Sequence, residues 1–175
     1  MTAGHDRSGV TSASYNGSAL DRAPEDRSVE LRSVTEEDLE ALARLDEEAF
    51  AEDAYPYFVL RQLFDVWADN LLVLDDGEEL RGYVLVATAP QRQRSCILGL
   101  GVTRDQRGRG HGRRLMLEIL DRLKDDDVRE VWLTVHPDNG PAIDLYQSLG
   151  FIGEPEIRKD YFGKGQHRLV MTLSL

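Results

Sequence analysis

Cysteine is almost absent from this chain of 175 residues: Cys96 stands alone, so no internal disulfide can form. Histidine is sparse too, with four residues scattered along the chain, and one thiol among dispersed imidazoles gives no metal-ligand spacing. No metal is expected. No apolar run approaches the roughly 20 residues that span a bilayer, and the first residues lack the apolar stretch of a secretory signal. No membrane association and a cytoplasmic location are therefore expected. Positive charge is in deficit: 21 Lys and Arg face 32 Asp and Glu, for a formal net charge of −11. That balance argues against nucleic acid as a partner, since nonspecific binding rests on cationic contacts to phosphate, and favours a neutral or cationic one.

What is present suits one soluble domain. Its 41% hydrophobic and 30% charged residues are ordinary for a globular protein, and a domain of about 150 residues buries roughly 68–70% of its unfolded surface without staples. Residues 1–27 are rich in Gly, Ser, Ala, Asp and Arg without apolar periodicity, and read as a disordered tail preceding a domain over 28–175. Val29 to Ser33 alternates as a strand; Thr35 with Asp38 opens a helix through Leu39, Leu42 and Leu45; Pro56 opens a second, running to about Trp67. Leu71–Leu74 and Leu80–Ala89 form a hairpin around Asp75-Asp76-Gly77, the second strand ended by Pro90. Ser95–Thr103 is a strand whose Gly99 and Gly101 mark a bulge or the close approach of another backbone or a ligand. A helix over about Gly110–Lys124, a strand over Glu130–His136, a helix over Pro141–Leu149 capped by Gly150, and strands over Ile152–Tyr161 and His167–Leu175 complete the order β-α-α-β-β-β-α-β-α-β-β. The fold class is α/β with a mixed, mostly antiparallel central sheet and flanking helices, because three consecutive strands demand hairpins.

The segment Thr103-Arg-Asp-Gln-Arg107-Gly-Arg-Gly110-His-Gly112-Arg-Arg114 lies between strand and helix. Glycines at alternate positions let the backbone turn sharply and expose successive N–H groups. The helix start adds unpaired donors and the positive end of its dipole. Five arginines against Asp105 give a local charge of +4, so the segment suits an anion such as a phosphate or pyrophosphate. The Gly-Lys-Ser/Thr of a nucleotide P-loop is missing, and a dinucleotide fingerprint fails because Arg113 or Leu115 stands where its last glycine belongs.

Arg107-x-x-Gly110-x-Gly112 resembles the acetyl-CoA pyrophosphate loop of the GNAT superfamily of N-acetyltransferases. Asn139-Gly-Pro-Ala142-Ile-Asp-Leu145-Tyr146-Gln-Ser-Leu-Gly150-Phe151 is similar to that superfamily's second signature, in the expected order after the loop. The resemblance implies the GNAT fold, acetyl-CoA as acyl-donor cosubstrate, and Arg107, Gly108, Arg109, Gly110, His111 and Gly112 around its pyrophosphate. It also implies that the Leu100 amide points at the acetyl carbonyl oxygen, that Val102 pairs with the pantetheine, and that Asn139 closes the other side. A backbone N–H at the carbonyl would stabilise the charge that develops there.

In the superfamily the acceptor amine attacks the thioester directly. Tyr146 occupies the position of the general acid, and a phenol can donate. Thr134 stands where relatives that acetylate protein N-termini carry Glu or His, and it cannot serve as base. His136, two residues on, shares the face of Thr134 if the strand stays extended, and an ordinary imidazole pKa of about 6.5 suits a base. A water relayed by backbone or hydroxyl groups is the competing route.

Residues 36–53 hold nine acidic side chains and one arginine, a rim that would attract cationic amines. The closing segment from Arg158 through Tyr161 and Phe162 resembles the C-terminal hairpin of the ribosomal-protein alanine N-acetyltransferase branch. Tyr55-Pro56-Tyr57 resembles that branch's aromatic-Pro element, making Tyr55, Tyr57 and Tyr161 candidates for holding the acceptor. The expected activity is acetyl-CoA-dependent N-acetylation of a primary amine, with a peptide or protein N-terminus as acceptor. A small-molecule amine (a polyamine or aminoglycoside) and a non-catalytic acyl-CoA-binding module are the alternatives. A monomer and a homodimer are both compatible with the chain.

Overall fold

The computed structural model describes residues 28–89 and 93–175. The expected tail and Pro90 lie outside the described residues. Seven strands form one sheet: β1 (Glu30–Ser33), β2 (Leu71–Asp75), β3 (Leu80–Ala89), β4 (Arg94–Val102), β5 (Glu130–Val135), β6 (Ile152–Gly153) and β7 (Leu169–Ser174). Their spatial order is β1-β2-β3-β4-β5-β7-β6. Every pairing is antiparallel except β4 with β5. Helices α1 (Leu39–Phe50), α2 (Tyr57–Trp67), α3 (His111–Asp125) and α4 (Gly140–Ser148) flank it, as the order of elements in the sequence predicts. None of the described helices is long and apolar enough to cross a membrane.

The sheet separates two cores. Successive residues of a strand face opposite sides, so Leu71, Val73, Tyr83 and Leu85 meet Leu39, Leu42 and Leu45 of α1 and Leu60 of α2. Leu72, Leu74, Val84 and Val86 meet Leu115, Met116, Ile119 and Leu123 of α3. Both faces are covered, which is why β2 reads as an unbroken apolar run. Each fully buried aliphatic side chain here contributes about 1.5–3 kcal/mol. A Thr35–Asp38 capping box precedes α1, and Arg32 ties Asp38 at 2.6 Å to Asp75 at 2.7 Å.

Two features of β4 shape the site. Leu85 pairs with Gly99 and Val86 with Ile97, leaving Leu98 as the extra residue of a bulge. The glycines therefore mark a bulge, as their place in the strand suggests. Parallel pairing of β4 with β5 ends at Ile97 and Leu133, although β4 runs on to Val102 and β5 to Val135. Beyond that point the strands part as a wedge.

The closing hairpin departs from expectation. The strand expected over Ile152–Tyr161 is only Ile152–Gly153, and the one expected over His167–Leu175 is Leu169–Ser174. Pro155 has no N–H to donate to a ladder. The chain leaves the sheet there and touches it again at a single bridge, Arg158 to Arg168. Asp160, Gly163 and Gly165, all at positive φ, build the tip between.

Candidate active site

The wedge exposes backbone. The Thr103 amide donates to the Arg81 carbonyl at 3.0 Å, and Gly101 faces Tyr83 two pairs further along. Antiparallel pairs alternate between bonded and non-bonded. That alternation turns the N–H groups of Leu100 and Val102 away from β3, toward the space that β5 has vacated. The Val102 carbonyl accepts Arg107 Nε at 3.0 Å. Gly112, in the first turn of α3, lies close by: a Cβ there would stand 3.4 Å from Leu145 and 4.0 Å from Leu100 and Val102. The start of α3, the end of β4 and α4 thus meet at one side of the wedge.

The loop into α3 is a row of free donors. Arg114 N makes the first bond of the helix, to the Gly110 carbonyl at 2.9 Å. The amides of residues 108–113 donate to no acceptor among the described residues. Gly108 and Gly110 sit at φ +76° and +84°, a region costly for any residue with a Cβ. Consecutive N–H groups in a turn ahead of a helix make an anion-binding concavity. Arg113 leans on Ser148 and Arg114 on the Val29 carbonyl. Burial first, then Arg114 and Arg109, lower the His111 pKa. These residues fit a pyrophosphate.

The proton-transfer candidates sit differently from one another. Tyr146 on α4 is buried against Phe151 (ring centroids 5.8 Å apart). Burial pushes its phenol up to about 12. Its hydroxyl meets no protein partner among the described residues, and no buried side-chain oxygen is left unpaired, so it opens to solvent. β5 ends at Val135, one residue before His136. The imidazole lies in the following turn, its Nδ1 accepting the Asp138 amide at 3.2 Å. Asn139 caps α4, its Oδ1 accepting the Ala142 amide at 3.3 Å. Thr134, half-buried, is the first β5 residue past the last pair with β4.

On the α1 side, the loop carrying Tyr55 and the closing hairpin are joined. Arg168, almost fully buried, bonds Gln166 and the His167 carbonyl and reaches Asp53 at 3.2 Å. Its guanidinium lies 4.8 Å from the Phe162 ring centre, and Arg158 lies 5.8 Å from that of Tyr161. Tyr55 donates its hydroxyl to the Leu98 carbonyl at 3.3 Å, on the bulge. Tyr57, at the start of α2, is half-exposed. Of the nine acids expected as a rim, five are bound within the fold: Glu36 to Arg61, Asp38 to Arg32, Asp46 to Tyr55 and Tyr83, Glu48 to the Arg104 amide, and Asp53 to Arg168. Much of that charge is structural.

Residues 33–151 match the family described as Acetyltransferase (GNAT) family. The chain belongs to this family. Among curated GNAT relatives, the L-2,4-diaminobutyric acid acetyltransferase of Shouchella clausii is 32% identical over 97 residues, 55% of this chain and 53% of its own. The chain thus spans about half the length of that relative. The [Ribosomal protein bS18]-alanine N-acetyltransferase of Salmonella typhimurium is 39% identical over 109 residues, 57% of this chain and 73% of its own. An N-alpha-acetyltransferase of Sulfolobus acidocaldarius is 27% identical over 83% of this chain and 92% of its own. In fold, the crystal structure of the ribosomal-protein-S18-alanine N-acetyltransferase from Escherichia coli superposes with a TM-score of 0.73 at 22% identity, over 84% of this chain and 94% of that one.

Three residues beside the wedge are not singled out by the sequence: Asp46 stands there only as one acid of the rim over 36–53, and Tyr83 and Arg168 only as positions within expected strands. The alternate glycines of β4 were the available signal for Tyr83, since something bulky must occupy the space they leave.

Proposed function

We infer that this chain acetylates the N-terminal amine of a peptide or protein, with acetyl-CoA as donor. The observation that carries the acceptor is the Asp53–Arg168 join, which sets the Tyr55 loop and the Tyr161 hairpin together at the parted strands. Two aromatic-bearing loops beside an open backbone edge suit the first residues of an extended chain. The names of the bS18-alanine and N-alpha relatives support the same class. The diaminobutyrate relative favours a small amine as second reading. The acidic rim that would serve it is largely tied up in the fold.

When bound, acetyl-CoA supplies an activated acyl group on a thiol leaving group. The free amides of residues 108–113, with Arg107, Arg109 and His111, would hold its pyrophosphate. The Leu100 N–H would stabilise charge that grows on the acyl oxygen. The Val102 N–H would be available to the pantetheine arm, and Asn139, at the start of α4, would close the far side. Tyr146, protonated throughout the neutral range, holds a donor toward the departing sulfur. His136, through the Nε2 that its turn leaves free, takes the proton of the amine, directly or through water. Tyr55, Tyr57 and Tyr161 line the acceptor's approach.

The reading is tested by the site of the acetyl group. A peptide beginning with Ala and carrying an internal Lys is incubated with isotope-labelled acetyl-CoA and sequenced by tandem mass spectrometry. The label is expected on the α-amine; label on the Lys side chain alone overturns the reading.

A further inference from the structure

Beneath the site lies a buried carboxylate that no proton transfer above uses. Asp46 on α1 is fully buried. Its Oδ2 accepts the Tyr55 amide at 2.6 Å, and its Oδ1 accepts the Tyr83 hydroxyl. A carboxylate withdrawn from water is tolerated only when such donors replace the water. Burial pushes its pKa up while Tyr83 and Tyr55 draw it back.

Both donors lead to the reacting centre. Tyr83 lies against β4 where the glycines leave room: a Cβ on Gly99 would stand 2.6 Å from its hydroxyl, and one on Gly101 2.8 Å from its ring. These glycines flank Leu100. Tyr55 begins the acceptor loop's return and bonds the bulge carbonyl of Leu98. One side chain therefore touches what fixes the donor strand and what fixes the acceptor loop.

We propose that Asp46 is a positioning residue, holding the Tyr55 loop and, through Tyr83, the β4 bulge in one geometry so that amine and thioester meet at the Leu100 amide. The proposal rests on the acetyltransferase reading above. Misplacement by about 1 Å costs up to about a hundredfold in rate.

The test compares wild type, Tyr83→Phe, Asp46→Asn and the double variant. Tyr83→Phe keeps the ring that packs on β4. Asp46→Asn keeps the shape and an oxygen for the Tyr55 amide. Measured are kcat and KM for an Ala-initiated peptide, spermidine and L-2,4-diaminobutyrate, the acetyl-CoA Kd by calorimetry, and Tm. Each single variant is expected to lower kcat about tenfold or more with the acetyl-CoA Kd held within about twofold, and the double variant to be no worse than the poorer single, because both cut one link. Retained kcat, multiplying losses, or a Kd that rises as far as kcat falls would overturn the proposal. Turnover confined to small amines sinks the peptide reading, and the comparison then runs on that amine. If wild type turns over no probe, hydrogen exchange of the acetyl-CoA-bound protein decides: faster exchange confined to residues 51–57 and 98–101 in Asp46→Asn supports the role, and unchanged exchange overturns it. If Asp46→Asn does not fold, Tyr83→Phe alone carries the same readings.

Discussion

Arg168 and Asp53 meet at 3.2 Å although 115 residues separate them in sequence. The arginine is buried, whereas the Asp53 side chain is 54% exposed. Arg168→Met keeps the apolar stem and leaves Asp53 in water, so no charge is stranded inside. The stability cost should be about 1–3 kcal/mol, chiefly from the lost bonds to Gln166 and the His167 carbonyl. Loosening the two loops should raise KM for a peptide acceptor while the acetyl-CoA Kd stays unchanged. Steady-state kinetics with calorimetry check this, and equal weakening for donor and acceptor would detach the pair from acceptor binding.

Gly110 separates strain from anion binding. A Cβ there meets nothing within 4 Å, so crowding within the chain does not act, and the cost of a side chain comes from φ +84°. Gly110→Ala should cost about 1–2 kcal/mol by that strain. Gly110→Glu adds a negative charge to a row of amides meant for an anion. Its acetyl-CoA Kd should rise about tenfold beyond that of the Ala variant, being one further lost charge interaction of about 1.4 kcal/mol. Equal affinities for the two variants would remove the pyrophosphate from this loop.

Tyr146→Phe removes a hydroxyl with no protein partner among the described residues, so Tm should barely move. Turnover should fall about a hundredfold or more, the scale of a lost general acid, with acetyl-CoA still bound. Because burial holds the phenol near 12, the wild-type rate should show no alkaline fall attributable to Tyr146 through the neutral and mildly alkaline range. His136→Ala should lower turnover about a hundredfold, the scale of a lost general base, with acetyl-CoA still bound. Unchanged turnover would assign the proton transfer to a relayed water.

How far the sequence reached follows from where its signals were local. The glycine-rich loop, the helix after Asn139 and the run of α3 depend on neighbours within a few residues, and each is found within one or two residues of its expected position. The closing hairpin was misjudged because alternation in residues 152–161 resembles a strand, while Pro155 and the turn at Asp160 carry the chain off the sheet. The parting of β4 and β5 leaves no mark in either strand's composition, since it is the absence of pairing between residues far apart in sequence. Asp46 and Arg168 were hidden for a related reason: a charged side chain reads as solvated until its partners, nine to 115 residues away, are known.

Stability should fall at both ends of the pH scale. The hydrogen bond from Arg32 holds the Asp38 carboxyl down at about 2. The folded state therefore binds fewer protons than the unfolded one between about 4 and that value. Its contribution is present above about 4 and is lost as pH falls through about 2. Asp38→Asn should flatten the acid limb of a Tm–pH curve there. Burial raises the Tyr146 phenol to about 12, so its contribution is present below about 10 and disappears as pH climbs through about 12. Tyr146→Phe should soften the alkaline limb, and a limb identical to that of wild type would contradict the burial of the phenol.

The central claim is the acceptor class, and acetyl-CoA-dependent thiol release tests it most directly. Three acceptor sets are compared: peptides with free N-termini, the same peptides blocked at the N-terminus with free lysines, and spermidine or aminoglycosides. The account predicts turnover with free N-termini and none once they are blocked. Turnover confined to blocked peptides or small amines, with free N-termini giving no release, would contradict it.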